Sequence, residues 1–174
     1  MYSALGSWAT LLLCCIGLAL ATILPAARED EAVLTVSYAG KSVSFTAADL
    51  AAMPHQTISA LDGHDKKTHE YTGVPARDVL SRVSVPSGEK LRGPFLRLVV
   101  IARTKDNYEV AYARAEFDEA FSDRTILLVD RQDGKPLFPS TGPIRLLLPG
   151  DKRPARWARM VNSLEIVQVG EDRK

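Results

Sequence analysis

The sequence predicts an α+β domain that is rich in strands, with short helices placed unevenly between them. Short apolar runs recur along most of the chain and are separated by turn-forming residues, a pattern typical of strands joined by tight connections. Helical patterns are few, and they do not alternate regularly with the strands. A doubly wound parallel sheet requires that alternation, so the sequence favours the mixed α+β class.

A hairpin and a short helix are the first predicted elements of the domain. The hairpin turns at residues 39–41. Thr46 then supplies an N-cap hydroxyl and Asp49 an acid three residues later, which is a variant of the capping box. Because proline disfavours helical geometry in the residue before it, the helix should end at Met53, before Pro54. The two strands of the hairpin span residues 33–36 and 43–45.

The remaining elements are mostly strands. A polar loop is predicted over residues 62–70, and Pro75 suits the first turn of a helix that runs to about Val83. Residues 132–134, Gln-Asp-Gly, indicate a tight turn. A further short helix is predicted over 115–121. The other predicted strands span residues 55–61, 96–102, 108–112, 126–129, 144–148 and 164–169.

The first 26 residues have the pattern of a secretory signal peptide. An apolar run over residues 10–21 is too short for a spanning helix of roughly 20 residues, and it ends in the small-x-small sequence Ala19-Leu20-Ala21. This predicts a periplasmic or secreted protein. The segment before the run has no Lys or Arg, so a retained membrane anchor is the alternative. Leu13 stands where a small residue should precede a lipidated Cys14, which argues against a lipoprotein.

Residues 27–174 are predicted to form one domain, with a core over about 33–169. Its charges are mixed, and the whole chain has a formal net charge of +1, which argues against a general nucleic-acid binder. Both cysteines, Cys14 and Cys15, lie in the predicted signal peptide. The mature chain therefore has no thiol for a disulfide or for metal ligation.

Three segments together resemble the molybdopterin-binding domain of sulfite oxidases and related oxidoreductases. Residues 71–80 match an aromatic-x-Gly-Val-Pro stretch, and Asp106-Asn107-Tyr108 stands where the family often has Asp-Gly-Tyr. The third segment begins with residues 133–137 and continues over 142–150, followed by Arg156-Trp157-Ala158-Arg159. The order and spacing fit over most of residues 33–169. The resemblance implies the mixed, strand-rich α+β fold of that family.

The third segment also contains the candidate binding site. Its middle is marked as a loop by Pro149, Gly150 and Pro154, and Asp151 is its single acid. Arginine binds phosphate through two parallel hydrogen bonds, so a cluster of cations here suits an anion. The resemblance implies that matching basic positions hold the phosphate tail of the pterin. The candidate cofactor-binding residues are Arg145, Lys152, Arg153, Arg156 and Arg159.

Two simpler interpretations of these cations remain open. Lys152 and Arg153 are equally explained as solvated loop residues. Arg145 lies within an apolar strand, where an arginine is often tied to a structural carboxylate. Trp157 is most simply a packing residue.

The resemblance also implies a molybdenum ion held by one protein cysteine just before the aromatic-Gly-Val-Pro stretch. The equivalent residues 58–64 contain no thiol, and the family pattern does not place Asp62 at the metal. No catalytic residue or metal ligand is therefore assigned. The prediction is a non-catalytic module that binds a small anion or a periplasmic protein partner. The alternative is a periplasmic molybdopterin-dependent oxidoreductase, or a subunit of one.

The other candidates for chemistry are weaker. His55, His64 and His69 are the only histidines, and their spacing is not that of a helical metal pair. The histidines are interpreted either as exposed loop residues or as ligands of a zinc ion, adventitious or real. Acidic residues Glu116, Asp118 and Glu119 are predicted to form the solvated face of the helix over 115–121.

Overall fold

The computed structural model describes residues 31–170, which form a strand-rich domain with two short α-helices. The predicted signal peptide lies outside the described residues. The helices are α1 (Ala47–Ala51) and α2 (Ala76–Leu80). The strands are β1 (Ala32–Tyr38), β2 (Lys41–Thr46), β3 (Gln56–Leu61), β4 (Thr68–Pro75), β5 (Leu98–Thr104), β6 (Glu109–Ala113), β7 (Leu127–Gln132), β8 (Lys135–Pro136), β9 (Arg145–Leu147) and β10 (Val161–Gln168).

The strands are arranged in two five-stranded sheets. The first sheet has the order β2-β1-β10-β5-β6, so the first and last strands of the domain are neighbours and run parallel. The second has the order β3-β4-β7-β8, with β9 also paired to β7. All pairs apart from β1–β10 are antiparallel. The predicted α+β class is confirmed.

The predicted hairpin and helix cap are confirmed at the start of the domain. β1 and β2 pair across the turn, and the Thr46 hydroxyl accepts a hydrogen bond from the Asp49 N–H at 3.1 Å. The Asp49 carboxylate accepts one from the Thr46 N–H at 2.8 Å, which completes the capping box. Leu50 is buried beneath this turn, so the cap fixes how α1 packs on the core.

The aromatic-x-Gly-Val-Pro stretch lies in β4, which is between β3 and β7 in the second sheet. A Cβ on Gly73 would lie 2.2 Å from the carbonyl oxygen of Leu128 in β7, closer than atoms can approach. The pairing of β4 with β7 shifts register between Thr72 and Gly73. Glycine is therefore required here because the two backbones meet at an irregularity in the ladder.

One buried apolar cluster takes side chains from both sheets. The first sheet contributes residues such as Val36 and Leu164, and the second contributes Tyr71 and Leu146, each with no exposed surface. The two sheets are also joined by the backbone, because Val161 N–H donates to the carbonyl of Ile144 at 2.9 Å. The segment after β9 lies against the loop between β3 and β4, where Pro154 packs beside Gly63. In residues 31–170 no helix has the length and apolar character needed to span a bilayer.

Two predicted elements were wrong. The predicted loop over 62–70 is shorter, because β4 begins at Thr68 and pairs with Leu61 of β3. The predicted helix over 115–121 is a 3-10 turn at Arg114–Phe117. Asp118 ends it, since its carboxylate accepts hydrogen bonds from Gly88 N–H at 3.0 Å and Ala120 N–H at 3.1 Å. Asp118 is buried, so the predicted solvated acidic face was also wrong there.

Candidate anion-binding site

A cleft of about 460 Å³ opens between the β3–β4 loop and the segment that follows β9. That volume is in the range of small-molecule sites. Three of the five predicted cations line it, namely Arg145, Arg153 and Arg159. His64, Asp106 and Tyr108 are its other ionisable residues. The fold therefore assembles a mainly cationic site from parts of the chain that are far apart in sequence.

Arg145, on β9, lies at the buried inner end of the cleft. Its side chain is only 8% exposed, and its Nη1 donates to Asp62 Oδ2 at 3.3 Å. Its guanidinium carbon is 5.6 Å from the ring centroid of Tyr71 and 5.2 Å from that of Trp157, within the range of cation–π attraction. Within residues 31–170 its Nε is buried without a hydrogen-bond partner. The arginine is thus fixed in position but incompletely satisfied.

Asp62 accepts hydrogen bonds from three donors, of which Arg145 is one. The Tyr71 hydroxyl donates to Oδ2 at 2.8 Å and the His64 backbone N–H donates to Oδ1 at 2.8 Å. Burial raises the pKa of Asp62, but these hydrogen bonds and the Arg145 charge outweigh burial and lower it. Burial and the hydrogen bond to Asp62 raise the pKa of Tyr71. Asp62 is therefore a carboxylate and Tyr71 a neutral donor at neutral pH.

The walls of the cleft are held by hydrogen bonds to the backbone. Tyr108 Oη donates to the Ala155 carbonyl at 2.9 Å, and Trp157 Nε1 donates to the Leu148 carbonyl at 2.9 Å. A Cβ on Gly63 would lie 2.6 Å from Cδ of Pro154, so the β3–β4 loop packs directly on this wall. The apolar part of the lining consists of Tyr108, Pro154, Ala155, Trp157 and Ala158.

The two other predicted cations lie outside this cleft lining. Arg156 pairs with Glu116 at 2.6 Å and with Asp151 at 3.5 Å, and its guanidinium carbon lies 5.1 Å from the Tyr112 ring centroid. Arg124 bridges the same two carboxylates. Lys152 is exposed. The ion pairs of Arg156 therefore fasten the loop that follows β9. The other three predicted cations, Arg145, Arg153 and Arg159, line the cleft together.

Besides the apolar residues named above, His64, Asp106 and Tyr108 line the cleft and had not been assigned to the site from sequence. Asp106 and Tyr108 were noted only as a family motif, and that motif was the signal that could have placed them. His64 was considered only for zinc. The backbone N–H of His64 donates to the Asp62 carboxylate, two residues earlier. This hydrogen bond closes a local turn, and His64 lines the cleft.

The remaining histidines make hydrogen bonds to carboxylates. His69 lies between two of them, with Nε2 2.9 Å from Asp65 Oδ2 and Nδ1 2.6 Å from Asp133 Oδ2. His55 Nε2 lies 3.2 Å from Asp130 Oδ2. In the described part of the chain, no group of three or more His, Cys, Asp or Glu residues is placed to hold a metal ion.

The residues around the cleft fit an anionic group but not a molybdenum ion. The segment before the aromatic-Gly-Val-Pro stretch has no thiolate, and its one carboxylate near the cleft, Asp62, already accepts from Tyr71, His64 and Arg145. Replacing those partners by a metal would leave Arg145 buried without its counter-charge. The arginines, by contrast, are donors suited to a phosphate or carboxylate.

Comparisons with known proteins identify the family and support the fold. The family model described as the oxidoreductase molybdopterin binding domain matches residues 21–173. Among solved structures, the sulfane dehydrogenase SoxCD from Paracoccus pantotrophus matches with a TM-score of 0.59 and 20% identity over 82% of this chain and 39% of that chain. At this identity the likeness shows the fold alone, and the chain spans well under half of that protein. No curated protein matches.

Proposed function

The chain belongs to the oxidoreductase molybdopterin-binding domain family, and from that premise we propose that it is an exported, non-catalytic module that binds a small anion. The observation that carries this proposal is the group of three arginines at the cleft. Arg145 is fixed at the inner end, and Arg153 and Arg159 are exposed at the mouth. A site of this kind attracts an anion at its mouth and orients it on a rigid guanidinium inside.

The non-catalytic part of the proposal is supported by the donor atoms that are present. Residues 27–174 contain no cysteine. Asp62 is engaged by Arg145 and Tyr71, so it is not free to act as a substitute ligand. A family fold does not by itself carry the chemistry of its enzymes, because chemistry depends on the site residues.

Export is the second part of the proposal, and it is supported by the pattern of residues 1–26. It predicts that the chain is recovered outside the cytoplasm with a new N-terminus near Ala21 or Ala26. Fractionation followed by N-terminal sequencing measures both. A full-length chain that stays with the membrane fraction would favour the retained anchor.

A molybdopterin-dependent oxidoreductase, or a subunit of one, is the second candidate function. It is favoured by the family match and by the structural neighbour, which is a sulfane dehydrogenase. This candidate requires near-stoichiometric molybdenum in protein exported by a molybdenum-replete host. Elemental and pterin analysis of that protein decides between the two candidates, since the binding module should contain no molybdenum.

The anion site is tested by removing the two exposed arginines together. Arg153→Ala/Arg159→Ala should abolish the rise in melting temperature caused by small anions, because a ligand that binds only the native state stabilises it. The panel consists of inorganic phosphate, acetate, 1-naphthoate and 1-naphthyl phosphate, measured by differential scanning fluorimetry.

The matched control is Lys135→Ala/Lys152→Ala, which also removes two exposed positive charges but none from the cleft lining. The control should keep the full stabilisation. The proposal is wrong if no anion of the panel stabilises the protein, or if the arginine variant responds as the parent does.

A further inference from the structure

Resting on the proposed function, we infer that the ligand of the cleft is an organic monoanion: a carboxylate attached to an apolar body about the size of a fused ring. The charge of the site, the chemistry of its walls and the free edge of Arg145 each support this ligand class over a phosphate ester.

The first support is the charge balance of the cleft. Of its three arginines, Arg145 is paired with Asp62, and Arg153 and Arg159 line the cleft together with Asp106. Neither Arg153 nor Arg159 forms an ion pair within 4.0 Å in the described part of the chain. Three guanidinium groups and two carboxylates leave one net positive charge, apart from the imidazole of His64. One negative charge on the ligand neutralises it, whereas a dianionic phosphate ester leaves an excess negative charge beside Asp106.

The second support is the apolar half of the lining. Trp157, Pro154 and Ala158 present carbon surface next to the arginines, and Tyr108 adds an aromatic ring whose hydroxyl is already bonded to Ala155. A small hydrated ion gains nothing from this surface. A ligand with an apolar body removes this carbon surface from water, which is favourable. The cleft of about 460 Å³ has room for such a ligand.

The third support is the free edge of Arg145. In residues 31–170 only Nη1 of this guanidinium makes a hydrogen bond, and that bond goes to Asp62. Nε is buried without an acceptor, and Nη2 has none either. Nε and Nη2 form the side-on edge of a guanidinium, which matches the two oxygens of a carboxylate. A carboxylate there would satisfy the unpaired donor without displacing Asp62.

The test compares ligands that differ in one property at a time, by isothermal titration calorimetry on the natively exported protein. We expect 1-naphthoate to bind at least tenfold more tightly than acetate, because of its apolar body. We expect it to bind at least tenfold more tightly than 1-naphthyl phosphate, because of its single charge. Arg153→Ala should weaken 1-naphthoate binding at least tenfold, and Lys135→Ala should leave it unchanged.

A second variant tests the charge argument directly. Asp106→Asn keeps the oxygen that accepts from the Thr104 hydroxyl but removes the negative charge from the cleft. It should shift the preference about tenfold towards 1-naphthyl phosphate. Equal or tighter binding of 1-naphthyl phosphate or acetate by the parent protein overturns the ligand class and leaves the proposed anion site standing. Absence of arginine-dependent binding by every anion overturns both.

Discussion

Arg145 shows how a charged residue is held inside the fold while one of its donors stays unsatisfied. Its charge is balanced by Asp62, and its flat guanidinium lies near the rings of Tyr71 and Trp157. A buried ion pair is weak evidence for net stability, because desolvation offsets the attraction. Removing only one partner of the pair is strongly destabilising, because the remaining charge is then buried without a counter-charge.

Asp62→Ala should therefore lower the free energy of unfolding by about 3–5 kcal/mol. Urea denaturation at neutral pH measures the loss. The control is Glu119→Ala, which breaks the exposed ion pair with Arg77 and should cost less than about 1 kcal/mol. Asp62→Ala/Arg145→Met should recover part of the loss, because the unpaired charge is gone. Equal costs for the two single variants would contradict this account of Asp62.

The placement of single residues was predictable where a short stretch of sequence or the residue type alone determined it. The cap at Thr46 was predicted and confirmed because capping depends on residues within one turn. The burial of Trp157 was predicted from its large apolar side chain and confirmed, although its ring partner Tyr71 is distant in sequence. Arg156 was placed in the site by its motif position. Its partner Glu116 lies 40 residues earlier in the chain, and no local pattern predicts that pairing.

At the scale of elements, β4 shows why the second sheet was harder to predict than the first. The hairpin of β1 and β2 is joined by a short turn, so its two strands were recognised together. The first residues of β4, Thr68 to Glu70, are polar and pair with β3, whereas β7 pairs only with the residues from Tyr71 onwards. Polar residues have little strand propensity of their own, so the sequence pattern assigned this stretch to a loop.

The tight contact between β4 and β7 predicts a strong effect at Gly73. Gly73→Ala should destabilise the protein by about 3 kcal/mol, because the added Cβ would collide with the backbone of Leu128, which cannot move aside cheaply. Thr72→Ala, next to it, removes only a cross-strand hydroxyl pair with Thr57 and should cost less than about 1 kcal/mol. Thermal unfolding of both variants tests this. Similar melting temperatures for the two would refute the collision.

The β3–β4 loop is tied to the β7–β8 turn by His69, which makes that connection sensitive to pH. Hydrogen bonds to Asp65 and Asp133 raise the pKa of His69, and the bond to His69 lowers the pKa of each aspartate. A raised histidine pKa stabilises the fold fully below the unfolded-state value of about 6.5, and that contribution is lost as pH rises through the folded-state pKa. The lowered pKa values of the two aspartates stabilise the fold above about pH 4, and this stabilisation is lost on acidification.

The stabilisation from His69 should therefore be greatest between about pH 4 and 6.5 and should decline above that range. Urea midpoints measured from pH 5 to 9 should fall with rising pH in the parent protein. His69→Asn should flatten this fall. His64→Asn is the control, because its ring makes no hydrogen bond in the described part of the chain, and it should keep the slope of the parent. An unchanged slope in the His69 variant would exclude it as the source.

At the scale of the whole molecule, β10 joins the two ends of the domain. It lies between β1, the first strand, and β5, and it follows the cleft segment that carries Arg159. Its inward side chains, including Val161 and Leu164, are fully buried. Because β10 follows the cleft segment and pairs with both β1 and β5, the strand that completes the first sheet is the one that leaves the cleft. We therefore expect formation of the cleft and closure of the fold to be coupled.

Truncation after Arg159 should consequently abolish cooperative unfolding, even though every cation of the cleft is kept. The loss of β10 would leave β1 and β5 without their shared neighbour and would expose the core of the first sheet. Circular dichroism during thermal melting and limited proteolysis measure the effect. Gln168→Ala is the matched control, because this exposed residue lies at the end of the same strand and should melt as the parent does. A truncated chain that still melts cooperatively would mean that the second sheet and the cleft fold without the first, and the coupling of site and fold would then be wrong.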